Sequence, residues 1–180
     1  MNLYIIRHGQ TEWNITHKLQ GKADIQLNDK GIEQAKQAKN IFNNLDIDLI
    51  ICSTLDRAKE TARIINEDKN IPIIYDERIR ERNYGILEGC STREIDIKRL
   101  MNYYIDEKVQ QGESSKEFFN RIYGFLNELE SKYKNNEKIL LVTHGGVSKA
   151  IYCYFNGIPE DGDIEKQKMM GNCEIKEYSK

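Results

Sequence analysis

The chain has few of the residues that staple, break or anchor a protein. Its only prolines are Pro72 and Pro159, and it has no Gly/Ser-rich stretch and no internal repeat, so nothing marks a linker at which its 180 residues would divide. The four cysteines, Cys52, Cys90, Cys153 and Cys173, lie far apart, with no C-x-x-C pair and no zinc-type spacing to a histidine. They read as reduced, mostly buried thiols. No apolar run approaches the roughly 20 residues of a membrane span, and the N-terminus lacks the basic region and small-residue cleavage site of a signal peptide. A cytoplasmic location is therefore expected. Charge of one sign is also lacking: the net charge of -2 creates no field that would draw in nucleic acid or an anionic membrane. Any anion must be held by a few locally placed cations.

What is present is ordinary for a soluble globular chain, with 39% hydrophobic and 31% charged residues. The length suits one large domain with a sizeable core, so residues 1–180 read as a single domain. Short β-rich runs alternate with segments of helical period, the pattern of an α/β fold on a largely parallel sheet. The predicted strands are Leu3 to Ile6, Leu49 to Cys52, Ile71 to Tyr75, Ile139 to Thr143 and Glu174 to Tyr178. Helical spacing links Ile32, Ala35, Ala38, Phe42 and Leu45, with Asn28 or Asp29 available as a cap. Leu55, Ala58, Ala62 and Ile65 mark a second helix. Phe118, Ile122, Phe125 and Leu129 mark a third, introduced by Ser114 and Glu117 as a capping box. A fourth is expected to begin after Gly145 and Gly146. The stretch from Leu87 to Gln111 is the least regular; Ile95, Leu100 and Tyr103 or Tyr104 hint at helix, and the stretch could cap a pocket.

In open α/β sheets, sites form beyond the carboxyl ends of the strands. Arg7 and His8 follow the first predicted strand in "YIIRHGQTEWN", Ser53 to Arg57 follow the second in "CSTLDRAKETA", and His144 and Gly145 follow the fourth in "LLVTHGGVSKA". Taken singly, each has a plain explanation: a surface His beside a solvated Arg, a solvent-facing helix Arg, a turn His with one hydrogen bond. Together they converge. The glycines beside His144 permit close backbone approach, and the helix start that follows favours anions. Glu81, in "RIRERNYGILEG", is a carboxylate among Arg78, Arg80 and Arg82, a setting that is more often a structural ion pair than a catalytic acid. Glu77 and Glu88 compete for the same role. His17, Trp13 and the tyrosines read as packing or surface residues.

Six segments in order, "RHGQTEWN", "LQGKADIQLNDKG", "CSTLDRAKETA", "ERNYGILEG", "GESSKEFFNRI" and "VTHGGVSKA", give the chain a resemblance to the histidine phosphatase superfamily, in its phosphoglycerate mutase-like branch. The resemblance implies a three-layer α/β/α sandwich and no cofactor. It casts His8 as the nucleophile that becomes phosphorylated. Arg7, Arg57 and His144 would form the phosphate pocket, Glu81 would be the proton donor, and Asn14 and Gly145 would be further phosphate contacts. Thr11, Gln20 and Gly21 fall in segments that line the family's site. Arg82 and Tyr84 fall where related mutases contact the rest of the substrate.

The chemistry suits these groups. Attack on phosphorus needs a neutral imidazole, and nearby guanidinium groups disfavour its protonation. Phosphoryl transfer spreads charge over three oxygens, which planar Arg forks complement better than Lys. Leaving-group departure needs a proton, which a carboxylic acid can supply beside a bound dianion. A metal site using His8, His144 and Glu81 is disfavoured, because two flanking arginines repel a cation. The interval between "LEG" and "GES" is short for a mutase lid and lacks an obvious cluster of Lys or Arg for a second acidic group, although Arg93, Lys98 and Arg99 lie there. Hydrolysis of small phosphorylated metabolites is therefore the expected activity. Mutase-type transfer and a non-catalytic phosphate-recognising module are the alternatives, the substrate's organic end is expected to lie against Leu87 to Gln111 and the loop after Pro159, and the oligomeric state is not written in the sequence.

Overall fold

A computed structural model of the chain describes residues 2–133, 137–167 and 169–179. Five strands, β1 (Asn2–Arg7), β2 (Leu49–Cys52), β3 (Ile73–Tyr75), β4 (Lys138–Thr143) and β5 (Ile175–Ser179), form one sheet in the order β3-β2-β4-β1-β5. The first four are parallel, and β5 pairs antiparallel with β1 at the edge. Connections between parallel strands are carried by helices α1 (Glu12–Ile15), α2 (Asp29–Phe42), α3 (Asp56–Ile65), α4 (Ile97–Leu100) and α5 (Ser115–Lys132), and α6 (Gly145–Asn156) follows β4.

The layers follow from strand periodicity, because alternate side chains leave opposite faces of a sheet. Leu3, Ile5, Ile139 and Leu141 pack on one face with Phe118, Ile122 and Phe125 of α5 and Val147 and Ile151 of α6. Ile6, Leu140 and Val142 pack on the other with Ala35, Ala38 and Phe42 of α2 and Ala58, Ala62 and Ile65 of α3. The result is the expected three-layer arrangement. Asn28 caps α2 through its side-chain oxygen, and the Ser114/Glu117 box at the start of α5 is complete in both directions.

Strands β1, β4 and β5 shift by a residue from the sequence reading and Leu55 stands at the N-cap of α3 rather than within it; other differences have clear local reasons. β3 begins at Ile73 because Ile71 has both backbone groups bonded to the Asn66 side chain and Pro72 has no N–H to give a ladder. Leu45 lies beyond α2, which ends at Phe42. Gly145 and Gly146 form the first turn of α6 rather than preceding it, with His144 at the N-cap position. Between Leu87 and Gln111 only Ile97–Leu100 is α-helical; the segment is held instead by a small third cluster of Tyr84, Leu100, Met101 and Val109.

The order β2-β4-β1 matters most for function. The carboxyl ends of these three neighbouring parallel strands open side by side, and His8 N–H donates to the Thr143 carbonyl at 2.9 Å. The residue after β1 and the residue after β4 are thus brought together by the ladder itself.

Candidate active site

A cavity of about 440 Å³ opens above these strand ends, and Arg7, His8, Asn14, Arg57, Glu81 and Gly145 are on its wall. His8 is 3% exposed. Its Nδ1 lies 2.7 Å from the carbonyl oxygen of Gly9, which can only accept, so Nδ1 carries the hydrogen and Nε2 keeps the lone pair. Burial, then Arg57 and Arg7, hold the His8 imidazole well below its ordinary pKa, and the Gly9 carbonyl opposes them. The ring is neutral at physiological pH. Gly9 in turn donates its N–H to Thr61 Oγ1 at 3.0 Å, and Asn172 Nδ2 donates to the His8 carbonyl at 2.9 Å.

Arg57 is fully buried on the first turn of α3. Its terminal nitrogens donate to the carbonyls of Ala23 and Gly21, both at 2.8 Å, and its Nε has no protein partner. Burial pulls its pKa down to about 10, against the pull of Glu81 and Asp24, so it remains a cation at neutral pH. Arg7 donates from one terminal nitrogen to the Met170 carbonyl at 2.7 Å, and its Nε is likewise buried without a partner. Burial lowers it too. Two guanidinium groups with unspent donors, desolvated beside a neutral imidazole, make an anion receptor.

His144 is fully buried behind His8 and off the cavity wall, with ring centroids 5.2 Å apart. Its Nε2 lies 2.7 Å from Ser53 Oγ, and Nδ1 is buried with no partner. Burial, then Arg57, His8 and Arg7, hold this ring well below its ordinary pKa as well. It is also neutral.

Glu81 is not the structural ion pair that its neighbours suggest. Arg78 pairs with Asp76 and Glu128, Arg80 pairs with Glu77, and Arg82 donates to backbone carbonyls. Glu81 instead accepts from Arg82 N–H at 3.0 Å and, through Oε2, from Gly146 N–H in the first turn of α6 at 2.9 Å. The carboxylate therefore occupies a helix N-terminus, and the second glycine allows it: a Cβ on Gly146 would lie 2.3 Å from Glu81 Oε1. The competitors are elsewhere. Glu77 is exposed in its pair with Arg80, and Glu88 accepts from Lys22 and Tyr84 N–H groups beneath Gly21.

The remaining expected contacts divide. Gln20, Gly21 and Tyr84 are on the cavity wall, although the Tyr84 hydroxyl donates to Met101 Sδ at 3.2 Å. Thr11 is off the wall and fully buried; it caps α1, and by donating its N–H to Asn14 Oδ1 at 3.0 Å it leaves the Asn14 amide nitrogen to face outward. Arg82 is not placed to touch a substrate. It is fully buried, its fork filled by the carbonyls of Leu100, Glu107 and Glu113 and by Ser115 Oγ, because a planar five-donor group suits a cluster of loop carbonyls.

Other residues were not singled out by sequence reasoning. Arg121 of α5 donates to the carbonyls of Arg78, Arg80 and Glu81 and pairs with Glu113, which fixes the loop that presents Glu81. Lys149 and Glu165 form an ion pair on the cavity wall. A helix-face Arg or Lys at helical spacing from the core carries no mark of such a role.

Among known proteins, the family model described as histidine phosphatase superfamily (branch 1) matches residues 3–178. The "Uncharacterized phosphatase PhoE" of Bacillus subtilis is 35% identical over 169 residues, which is 94% of this chain and 83% of that protein. The "Probable phosphoglycerate mutase GpmB" of Escherichia coli O1:K1 is 33% identical over 184 residues, covering 97% and 83%. Among solved structures, mycobacterial glucosyl-3-phosphoglycerate phosphatase in complex with VO3 superposes with a TM-score of 0.87 at 26% identity, covering 99% of this chain and 92% of that one. With a neutral imidazole between two buried guanidinium groups at the end of its first strand, and a family match over nearly its whole length, the chain belongs to the histidine phosphatase superfamily, branch 1.

Proposed function

We propose that the chain is a phosphomonoesterase that hydrolyses small phosphorylated metabolites through a phosphohistidine on His8. The observation that carries this reading is the Nδ1 contact of His8 with the Gly9 carbonyl, which leaves Nε2 as a lone pair facing a cationic hole. Nε2 attacks phosphorus, the N–P bond forms as the ester P–O bond breaks, and Glu81 passes a proton to the departing oxygen. Arg7 and Arg57 take up the charge on the equatorial oxygens with their unspent donors, and His144 supplies the Nδ1–H that has no partner within the protein. Water then attacks phosphorus, the N–P bond breaks, Glu81 receives the proton of the water, and inorganic phosphate leaves. Positioned protein donors suffice for these steps, so no metal or cofactor enters the reading.

Hydrolysis is favoured over mutase transfer by the wall opposite the phosphate hole. A mutase must retain an acidic intermediate, yet Arg93, Lys98 and Arg99 are all absent from the wall, and of the two lysines on it Lys149 is paired with Glu165 and Lys18 is exposed. The similarity to a probable phosphoglycerate mutase makes the comparison worth measuring. We also place the enzyme in the cytoplasm as a single domain: no helix among the described residues is long and apolar enough to cross a membrane, and all four cysteines are free.

The test is hydrolysis of p-nitrophenyl phosphate and a panel of phosphorylated metabolites in excess chelator, with acid quenching to trap phosphate on the protein. Turnover with acid-labile label that is lost in His8→Ala supports the reading. Phosphate binding with neither label nor turnover would make the chain a phosphate-recognising module, and conversion of 3- to 2-phosphoglycerate without release of phosphate would make it a mutase.

A further inference from the structure

The phosphate hole is only one end of the cavity. Lys149, on α6 one turn beyond Gly145 and Gly146, has a side chain only 4% exposed, and its ammonium lies 2.7 Å from Glu165 Oε1 on the opposite side of the wall. Glu165 is held in place: it sits in the one-turn helix Ile164–Lys166, its N–H is accepted by Asp163 Oδ1 at 3.0 Å, and the neighbouring Ile164 is fully buried. Elsewhere outside the phosphate hole the wall is largely apolar, with Trp13, Leu19, Ile97, Met101 and Met169, and carries His17, Lys18 and Thr92 as polar groups. Among the described wall residues outside the phosphate hole, the other cation is Lys18. It is exposed and lies over the Trp13 ring at 5.8 Å, where solvent screens it.

We infer that the Lys149–Glu165 pair makes the site selective for phosphate monoesters whose leaving alcohol carries no charge, and that it discriminates against those bearing a carboxylate or second phosphate. This rests on the hydrolytic reading above. A buried ammonium is the natural receptor for a second anionic group, but Glu165 already occupies it. An incoming carboxylate would have to displace Glu165 or sit beside it as a like charge in a site partly removed from water, where repulsion is weakly screened. A hydroxyl, sugar or aromatic leaving group meets neither obstacle and finds a largely apolar wall.

Glycerol 3-phosphate and 3-phosphoglycerate form a matched pair that differs in a hydroxymethyl against a carboxylate. The wild-type protein is expected to hydrolyse the neutral ester with kcat/KM about tenfold higher. Glu165→Gln is expected to reverse or erase that preference by unmasking Lys149. The double variant Lys149→Met/Glu165→Gln is expected to lose the gain. Equal or better use of 3-phosphoglycerate by the wild type would overturn the proposal, as would a ratio unmoved in Glu165→Gln or a gain that persists in the double variant. Turnover of p-nitrophenyl phosphate by each protein controls for folding. Failure of the wild type on every ester would instead overturn the hydrolytic reading.

Discussion

Ser53 Oγ lies 2.7 Å from Nε2 of His144, while Nδ1 of the same buried ring has no protein partner. Oγ also accepts the Leu55 N–H at 3.4 Å, and because Nε2 is the acceptor within reach of its hydroxyl hydrogen, we assign that hydrogen to Nε2 and the imidazole hydrogen of the neutral ring to Nδ1. Ser53→Ala removes that hydroxyl. We expect kcat on p-nitrophenyl phosphate to fall roughly tenfold, the worth of one oriented hydrogen bond, with the ring nitrogen shifts of His144 in ¹⁵N NMR moving toward a mixed tautomer. Unchanged shifts together with unchanged kcat would remove Ser53 from the arrangement.

Glu81 faces the cavity from a helix N-terminus, and its proposed task is to protonate the leaving oxygen. The need for that proton depends on the leaving group. Glu81→Gln keeps the size, and its single oxygen can accept from Gly146 or Arg82 but not both; it cannot donate an acidic proton, so hydrolysis of an alkyl ester such as glycerol 3-phosphate should drop by roughly 10²–10⁴. Loss on p-nitrophenyl phosphate, whose phenolate departs unaided, should be much smaller. Equal losses on both esters would assign Glu81 a structural role only.

The same residue shows what the sequence could and could not carry. Arg7, His8, Arg57 and His144 were legible because parallel strands β1, β2 and β4 end side by side, and a cation or imidazole at or within a few residues of a buried strand's carboxyl end is unusual. Glu81 was legible only as one acid among three, since the partners of Arg78 and Arg80, namely Asp76, Glu128 and Glu77, are settled by tertiary packing. Arg82 reads in sequence like its neighbours, yet loop carbonyls brought from Leu100, Glu107 and Glu113 enclose it. Those carbonyls belong to an aperiodic stretch, where no hydrophobic pattern announces which backbone groups will turn inward. Ser53, Arg121 and the Lys149–Glu165 pair act through contacts 16 to 91 residues apart, beyond what spacing along the chain can reveal.

Both histidines of the candidate site, His8 and His144, are buried as neutral rings, their pKa values held well below the ordinary 6.5. The unfolded chain takes up protons near pH 6.5 while the folded protein does not, so the unfolded state binds more protons below that point and stability falls with falling pH. Each ring contributes a slope of up to about 1.4 kcal/mol per pH unit, beginning near pH 6.5 and ending at its folded pKa. Urea unfolding from pH 8 to pH 5 should show this loss, and replacement of either histidine by Ala should reduce the slope. Catalysis should behave differently: kcat/KM should show no inflection from His8 at pH 6.5, because the proposed nucleophile is already unprotonated there. An acid limb centred at that pH and traced by NMR to His8 would contradict the neutral-ring geometry.

Arg82 tests whether a buried guanidinium here is a support or a substrate contact. Its three nitrogens donate to the carbonyls of Leu100, Glu107 and Glu113 and to Ser115 Oγ at 2.6–3.1 Å, tying the segment that carries α4 to the start of α5. Arg82→Met would leave these acceptors buried without donors, at a cost of about 3 kcal/mol. Arg82→Lys should recover little of it, since one ammonium cannot span a fork of carbonyls. Urea midpoints of the two variants should therefore fall together, and proteolysis should begin between residues 100 and 115. At a temperature where both remain folded, KM for p-nitrophenyl phosphate and for glycerol 3-phosphate should stay within about threefold of the wild type, because the side chain is absent from the cavity wall. A variant with wild-type stability and a raised KM for the larger ester alone would return Arg82 to the substrate.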